Sequence, residues 1–198
     1  MTDMLDYARV LPGEAFDSVE VEVVFLRMDQ APNRPRAVFP AGARLSCVRL
    51  SVAEYRTLYN EVGAPWLWWL RRMMPDDMLA KHLVNPAVAF HVLRVEGELA
   101  GFFETDAGYW PNVNLNYFGL MPGFIGKGLG RLLLDAAVDS VFAGGSPLRG
   151  MTVNTCSADH PRALPNYIAA GFREVRRIRE TWDIPHRLGL RLPEHLRG

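Results

Sequence analysis

The stretch that decides the fold is PGFIGKGLGR, residues 122–131, in which Gly126, Gly128 and Gly130 alternate with other residues. It follows a strand-like apolar run and precedes apolar positions at helical spacing. Glycines let backbone amides converge on an anion, and the start of a helix adds partial positive charge. The pattern therefore predicts a strand–turn–helix unit whose turn binds a phosphate or pyrophosphate, with Lys127 and Arg131 adding charge at its rim.

Two familiar nucleotide motifs do not fit this glycine cluster. A dinucleotide fingerprint that starts at Gly126 needs its third glycine where Arg131 stands. A P-loop needs Ser or Thr after Gly-Lys, and here Gly128 follows Lys127. Taken alone, the cluster is equally compatible with a turn whose glycines serve close helix packing.

A second segment, DHPRALPNYIAAGF at residues 159–172, favours the anion site. With it the chain resembles the GNAT superfamily of acyl-CoA-dependent N-acyltransferases. That family combines a strand ending V-x-P, then Q/R-x-x-G-x-G/A, and later N-x-x-A-x-x-x-Y-x-x-x-G-F. The first block is present as LMP at 120–122 and IGKGLG at 125–130, and Tyr167 holds the tyrosine position of the second. Ile125 replaces the family's Gln or Arg, and His160 replaces its asparagine.

The resemblance covers about residues 20–185 and implies a mixed α/β (α+β) fold. The expected sheet is mixed, mostly antiparallel and flanked by helices, with splayed fourth and fifth strands over 114–120 and 148–155. Residues 1–19 are expected to be an N-terminal lead-in, 20–185 a single acyltransferase domain, and 186–198 a C-terminal tail.

Local patterns predict the individual elements. A strand is expected from Glu20, a loop over 30–42, and a second strand over 44–50. Ser51 and Glu54 form a capping box for a helix, and Pro65 is placed to start another helix that runs to Met73. A third helix is expected from Pro75, and a hairpin is expected to turn at Glu96-Gly97. The next helix is expected to run from the glycine cluster to Gly144-Gly145. A helix over 159–170, delayed or kinked by Pro165, and a strand over 172–184 are expected to follow.

Composition excludes several classes of protein. The 198 residues carry 22 Lys and Arg against 22 Asp and Glu, so the formal net charge is zero and the basic surplus of a nucleic-acid-binding protein is missing. No apolar run is long enough to span a membrane. The two cysteines form no disulfide framework, and the five scattered histidines form no metal motif. A neutral cytoplasmic protein without a metal is expected.

The resemblance implies an N-acetyltransferase that moves an acetyl group from acetyl-CoA to a primary amine by direct attack in a ternary complex. A catalytically weak acyl-CoA-binding or regulatory module is the alternative. The strand before the glycines would pair with the pantetheine arm, and the glycine turn would bind the pyrophosphate. The implied cofactor-binding residues are Phe118, Gly119, Leu120, Met121, Gly126, Lys127, Gly128, Leu129, Gly130, Arg131 and Asn166.

The resemblance also implies catalytic roles. Tyr167 would protonate the departing thiolate, and the Leu120 N–H would stabilise the developing oxyanion. Relatives often carry a glutamate on the fourth strand, where this chain has asparagines. Glu104 on the neighbouring strand is one candidate for the base, and His160, beside Asp159, is another. A solvated strand end and a helix cap are the competing explanations, and a neutral amine or a water chain would need no protein base.

The acceptor amine would lie against the early helices, where Trp66, Trp69 and Tyr59 are the candidate contacts. Tryptophans at 68 and 69 diverge by about 100° on a helix, so at least one of them is available for a pocket, unless it packs under a loop. The acceptor is left open between a small molecule and a protein or peptide amine, and a homodimer is possible. A thiol hydrolase built on Cys156 is a weaker rival, since its spacing matches no nucleophile motif.

Overall fold

One seven-stranded sheet forms the centre of the molecule. The computed structural model describes residues 6–143, 148–193 and 196. The strands lie in the order β2-β3-β4-β5-β6-β1-β7. They are β1 (Phe16–Met28), β2 (Ala43–Val48), β3 (Val88–Val95), β4 (Glu98–Asp106), β5 (Asn112–Leu120), β6 (Gly150–Cys156) and β7 (Arg173–Pro185).

Strand pairing is antiparallel throughout, except between β5 and β6, which run parallel. The helices are α1 (Val52–Gly63), α2 (Leu70–Met73), α3 (Asp76–Leu83), α4 (Leu129–Phe142) and α5 (Ala163–Ala170). The expected mixed, mostly antiparallel sheet flanked by helices is therefore confirmed.

The helices cover both faces of the sheet. Leu133, Leu134 and Tyr167 of α4 and α5 pack with Phe103 on one face. On the other face Phe102 packs in the cluster that contains Tyr55 and Tyr59 of α1. Successive residues of a strand point to opposite faces, so the adjacent Phe102 and Phe103 supply both cores from one strand.

Helix α1 begins with the expected capping box. The Glu54 N–H donates to Ser51 Oγ at 3.3 Å, and the Ser51 N–H donates to Glu54 Oε2 at 2.8 Å. Each residue thereby satisfies a backbone donor that the start of a helix leaves unpaired.

The single helix expected from Pro65 to Met73 is wrong. The chain makes a short 3₁₀ turn, and Leu67 then adopts a left-handed conformation with φ of 57° before α2 begins at Leu70. This break lets the tryptophans separate, because Trp68 packs on Tyr59 while Trp69 packs on Trp182. A continuous helix could not direct both side chains to those partners.

The C-terminal half agrees with the sequence more closely. Helix α5 starts at Ala163, so Pro165 lies in its first turn, where the missing N–H removes no helix hydrogen bond. Helix α4 ends at Phe142, and the predicted stop at Gly144-Gly145 lies outside the described residues. Strand β1 begins at Phe16, earlier than the expected Glu20.

Two further observations concern the described ranges alone. None of the helices there combines the length and apolar character that crossing a bilayer requires. In the same part of the chain, His, Cys, Asp and Glu side chains form no group of three or more that could hold a metal ion.

Replacing Ser51 with Ala should lower the free energy of unfolding by about 1 kcal/mol, because the first turn of α1 loses its side-chain acceptor. Urea denaturation followed by tryptophan fluorescence measures the change. Ser46→Ala, at an exposed position in β2, is the matched control. Equal stabilities of the two variants would contradict the role of the cap.

Candidate active site

The candidate site is a gap between β5 and β6. Their parallel pairing covers four positions and ends where Leu115 faces Val153. Beyond that point β5 continues to Leu120 and β6 to Cys156 without pairing to each other. A cleft of about 620 Å³ opens between the diverging strands.

A bulge in β5 lies at the start of this divergence. Glu104 pairs with Tyr117, but the next residue of β4, Thr105, pairs with Leu115, which leaves Asn116 as the extra residue. A bulge bends the strand and increases its twist. It therefore accompanies the separation of β5 from β6.

The far end of β5 presents unpaired backbone groups to the cleft. The Met121 N–H donates to the Ala100 carbonyl at 2.9 Å, so that residue is directed towards β4. Backbone groups of a strand alternate between its two edges, which turns those of Leu120 and Phe118 towards the gap. Gly119 and Met121 are thus paired with β4, and Phe118 and Leu120 offer hydrogen bonds to a ligand.

The glycine turn closes one end of the cleft. Gly126 and Gly128 have φ values of 83° and 77°, which residues with a Cβ rarely adopt, and a Cβ built on either would meet nothing within 4 Å. Gly128 is also the N-cap of α4, where it has no side chain to cover the first amides. An uncovered helix start beside open space fits a phosphate group.

The other residues predicted to bind the cofactor are placed around this turn. Gly130 and Arg131 line the cleft, and the Arg131 guanidinium also hydrogen-bonds Asp135 at 3.0 Å. The Lys127 amine lies 4.8 Å from the centre of the Phe124 ring. The Leu129 side chain is buried in the core instead.

Tyr167 lies on the opposite wall, on α5, and its ring packs between Phe118 and Phe172. Burial, assisted by the negative charge of Asp159, raises the pKa of the Tyr167 hydroxyl well above its usual value. The hydroxyl is therefore protonated at neutral pH and is able to donate a proton. The neighbouring Asn166 also lines the cleft.

His160 lines the cleft beside the Trp66 ring, with ring centres 4.9 Å apart. Its Nδ1 accepts the Arg162 N–H at 3.0 Å at the start of α5. In the neutral imidazole the proton is then on Nε2, which leaves no free lone pair for a substrate proton. The arrangement favours the helix-start role over the role of base.

Cys156 is also part of this wall. Burial, with the nearby charge of Asp159, raises the pKa of its thiol to about 12. A thiol with that pKa is protonated at neutral pH, and a thiolate nucleophile is disfavoured.

Glu104 lies beneath the cleft, fully buried. Its carboxylate accepts hydrogen bonds from Tyr55 Oη at 2.7 Å, His82 Nε2 at 2.8 Å, Asn116 Nδ2 at 2.8 Å and Arg71 at 3.2 Å. Burial alone would raise the pKa of Glu104, but the His82 hydrogen bond and the Arg71 charge outweigh it and lower that pKa.

This cluster gives Glu104 a positioning function. Glu104 itself does not belong to the described lining of the cleft, but its partners Arg71 and Asn116 do. The carboxylate therefore holds two wall residues in place, which does not favour the prediction that it takes a proton from the substrate.

The three predicted acceptor contacts, Trp66, Trp69 and Tyr59, all line the cleft. Trp68 joins them through its contacts with Tyr59 and Tyr117, at ring-centre distances of 5.3 and 5.1 Å. The sequence left open which of Trp68 and Trp69 faces a pocket. It gave no sign of Arg71, whose partner Glu104 lies 33 residues away.

A sheet with a splayed parallel pair and a glycine turn at the head of the following helix defines a fold of acyltransferases. The model of the acetyltransferase (GNAT) family matches residues 55–172. The chain therefore belongs to the GNAT family of acetyltransferases.

Solved structures agree on the fold. A GCN5-related N-acetyltransferase from Sphaerobacter thermophilus has a TM-score of 0.60 at 15% identity, over 86% of this chain and 54% of its own. A tandem GNAT protein from the clavulanic acid biosynthesis pathway has a TM-score of 0.61 at 18% identity, over 86% of this chain and 55% of its own. The chain thus spans just over half the length of these two proteins.

A shorter protein is covered more completely. The ribosomal-protein-S18-alanine N-acetyltransferase from Escherichia coli has a TM-score of 0.55 at 16% identity, over 72% of this chain and 94% of its own. No curated protein sequence matches this chain.

Replacing Glu104 with Gln should destabilise the fold by about 3 kcal/mol at neutral pH, because it leaves the Arg71 charge buried without its partner. The folded-state pKa of Glu104 is depressed, so its stabilisation is present above the unfolded pKa and is lost as the pH falls through the folded pKa. The difference between wild type and variant should therefore shrink in acid.

Urea unfolding across a pH series measures this difference. Glu98→Gln, at an exposed position on the same strand, is the matched control and should change stability little. A stability difference between wild type and Glu104→Gln that is independent of pH would contradict the charged state assigned to Glu104.

Proposed function

We propose that the protein transfers an acetyl group from acetyl-CoA to a primary amine, by direct attack of the amine in a ternary complex. The observation that carries the proposal is the cleft between β5 and β6, closed by the glycine turn. It joins an unpaired strand edge to an uncovered helix start. An acyl-CoA presents a peptide-like arm and a pyrophosphate, which match these two features.

The residues around the cleft fit such a donor. Phe118 and Leu120 would pair with the pantetheine amides, and the amides of 126–130 would bind the pyrophosphate, with Lys127 and Arg131 adding charge. Gly119, Met121 and Asn166 complete the surrounding wall. When bound, acetyl-CoA supplies a thioester carbonyl that is activated towards nucleophiles.

Two groups are placed to assist the transfer. The Leu120 N–H, directed into the gap, would donate a hydrogen bond to the carbonyl oxygen as negative charge develops on it. Tyr167 would give its phenolic proton to the departing thiolate. The raised pKa keeps the phenol protonated at neutral pH, so its proton is present when the thiolate departs.

The acceptor would enter along the aromatic wall of Trp66, Trp69 and Tyr59. Aromatic faces attract the cationic form of an amine and also pack against flat or apolar groups. Both a small-molecule amine and a protein or peptide amine fit this wall, and the E. coli structural neighbour that acts on an alanine of ribosomal protein S18 illustrates the second class. A cytoplasmic location and a homodimer belong to the same proposal.

The function is tested in two stages. Thermal shift with acetyl-CoA first measures donor binding, and free-CoA release over a panel of benzylamine, tryptamine, spermidine and a short peptide then measures transfer. Binding with turnover is the expected result. Binding without turnover of any amine would favour the acyl-CoA-binding module, and the absence of binding would overturn both.

Replacing Tyr167 with Phe should lower kcat by about 10²-fold and leave the affinity for acetyl-CoA unchanged, since the ring remains and the proton donor is lost. Steady-state CoA release and isothermal titration separate the two effects. Tyr109→Phe, on an exposed tyrosine, is the control. Unchanged turnover in Tyr167→Phe would remove the residue from catalysis.

Replacing Gly128 with Ala should weaken CoA binding by about tenfold, because the positive φ costs a residue with a Cβ about 1–2 kcal/mol and the turn must change to relieve the strain. Gly123→Ala is the matched control, since a Cβ there meets nothing within 4 Å. Titration with free CoA measures both variants. Equal affinities would show that the turn does not bind the cofactor.

A further inference from the structure

The proposed transfer leaves the proton of the acceptor amine without a destination, and one half-buried acid has no role in it. Asp159 lies between β6 and α5. Among the described residues that line the cleft, it is the one carboxylate. An amine arriving as an ammonium ion would meet no other fixed negative charge on that lining.

The two oxygens of Asp159 have different environments. Oδ2 accepts the hydroxyl proton of Thr155 at 2.7 Å and the Cys156 N–H at 3.0 Å. Oδ1 has one long contact, 3.4 Å from Trp68 Nε1. The carboxylate is therefore anchored through Oδ2, and Oδ1 retains lone-pair capacity for another donor.

The position of Asp159 also links two cavities. A second cleft, of about 340 Å³, lies on its other side and includes Thr155 and Glu22 in its lining. Asp159, Cys156 and His160 line both clefts. Asp159 therefore borders a second cleft besides the one proposed to hold the donor.

Burial supports a base at this position. It raises the pKa of the Asp159 carboxyl, with the hydrogen bonds from Thr155 and Cys156 acting in the opposite direction. A raised pKa makes the carboxylate a better proton acceptor than a solvated one. Tyr167 lines the same cleft as Asp159, so the proposed acid and this carboxylate face one space.

Building on the acetyl transfer proposed above, we propose that Asp159 is the catalytic base. Its Oδ1 takes one proton from the acceptor ammonium, and the neutral nitrogen then forms the new C–N bond as the C–S bond breaks. The thiolate receives the Tyr167 proton, and the nitrogen returns one proton to the Tyr167 phenolate. The proton on Asp159 then passes to water in the second cleft. The ammonium and the thioester are thus converted into one amide, one thiol and one released proton.

Two other candidate bases are less suited to take the proton of the amine. His160 is engaged at the start of α5, and Glu104 is enclosed below the cleft. The titratable and charged groups that share a cleft lining with Asp159 are Tyr7, Tyr59, Arg71, Tyr117, Arg131, Cys156, His160, Arg162, Tyr167 and, in the second cleft, Glu22.

The decisive variant is Asp159→Asn, which keeps the shape and an acceptor oxygen but removes the base. With benzylamine, which is cationic at neutral pH, kcat/KM should fall about 10²-fold. With phenylhydrazine, which is largely neutral, the loss should be much smaller. Asp106→Asn, a carboxylate that accepts the Gly108 N–H in a surface turn, is the matched control. Equal losses with both nucleophiles, or no loss, would overturn the proposal.

Thr155→Val provides a second test that does not remove the carboxylate. It deletes a hydrogen bond that stabilises the charged form of Asp159, so the acid limb of the kcat/KM–pH profile should move to higher pH. An unmoved limb would contradict the assignment. If the wild type acetylates amines and Asp159→Asn does so equally well, only the role of Asp159 as base is refuted. If the wild type binds acetyl-CoA but acetylates no amine, the proposed function itself is refuted.

Discussion

The separation of β5 from β6 is the feature on which the rest of the structure depends. A central sheet normally satisfies every backbone group through its neighbours, and an interrupted ladder leaves donors and acceptors exposed. Here pairing stops at Leu115 and Val153, in the middle of both strands. The gap therefore exposes backbone donors and acceptors along the two diverging strands, and the surrounding packing must keep it open.

Several residues keep the gap open from below. The bulge at Asn116 turns its side chain to Glu104, and the same carboxylate binds Arg71 from the other side of the cleft floor. Close packing adds to this, because a Cβ on Gly119 would lie 2.4 Å from Val62 Cγ1. A buried charge cluster contributes little net stability compared with apolar packing, but it fixes geometry because each partner is costly to leave unpaired. That is the property a cleft wall requires.

Much of this was predictable from the sequence, and the exceptions have physical causes. The glycine turn and the placement of Tyr167 follow from local spacing, since Gly126, Gly128 and the Tyr-to-Gly-Phe interval specify turn and helix geometry directly. The left-handed Leu67 was not predictable, because its conformation is imposed by the separate packing of Trp68 and Trp69. Contacts between segments distant in sequence likewise decide that Glu104 is enclosed and that Asp159 lines the cleft.

The proposed acid and base are electrostatically coupled in a way that orders the two proton transfers. The negative charge of Asp159 contributes to the raised pKa of the Tyr167 hydroxyl. While Asp159 is ionised, Tyr167 therefore holds its proton more strongly than burial alone would require. Once Asp159 has taken the proton of the amine, that charge is neutralised and the Tyr167 pKa falls. In the proposed reaction, Tyr167 would become a stronger acid once the nucleophile has been generated. Tyr167 is buried and Asp159 half-buried at the wall that α5 and the end of β6 form, so one partly desolvated region would supply an acid and a base whose proton affinities respond to each other.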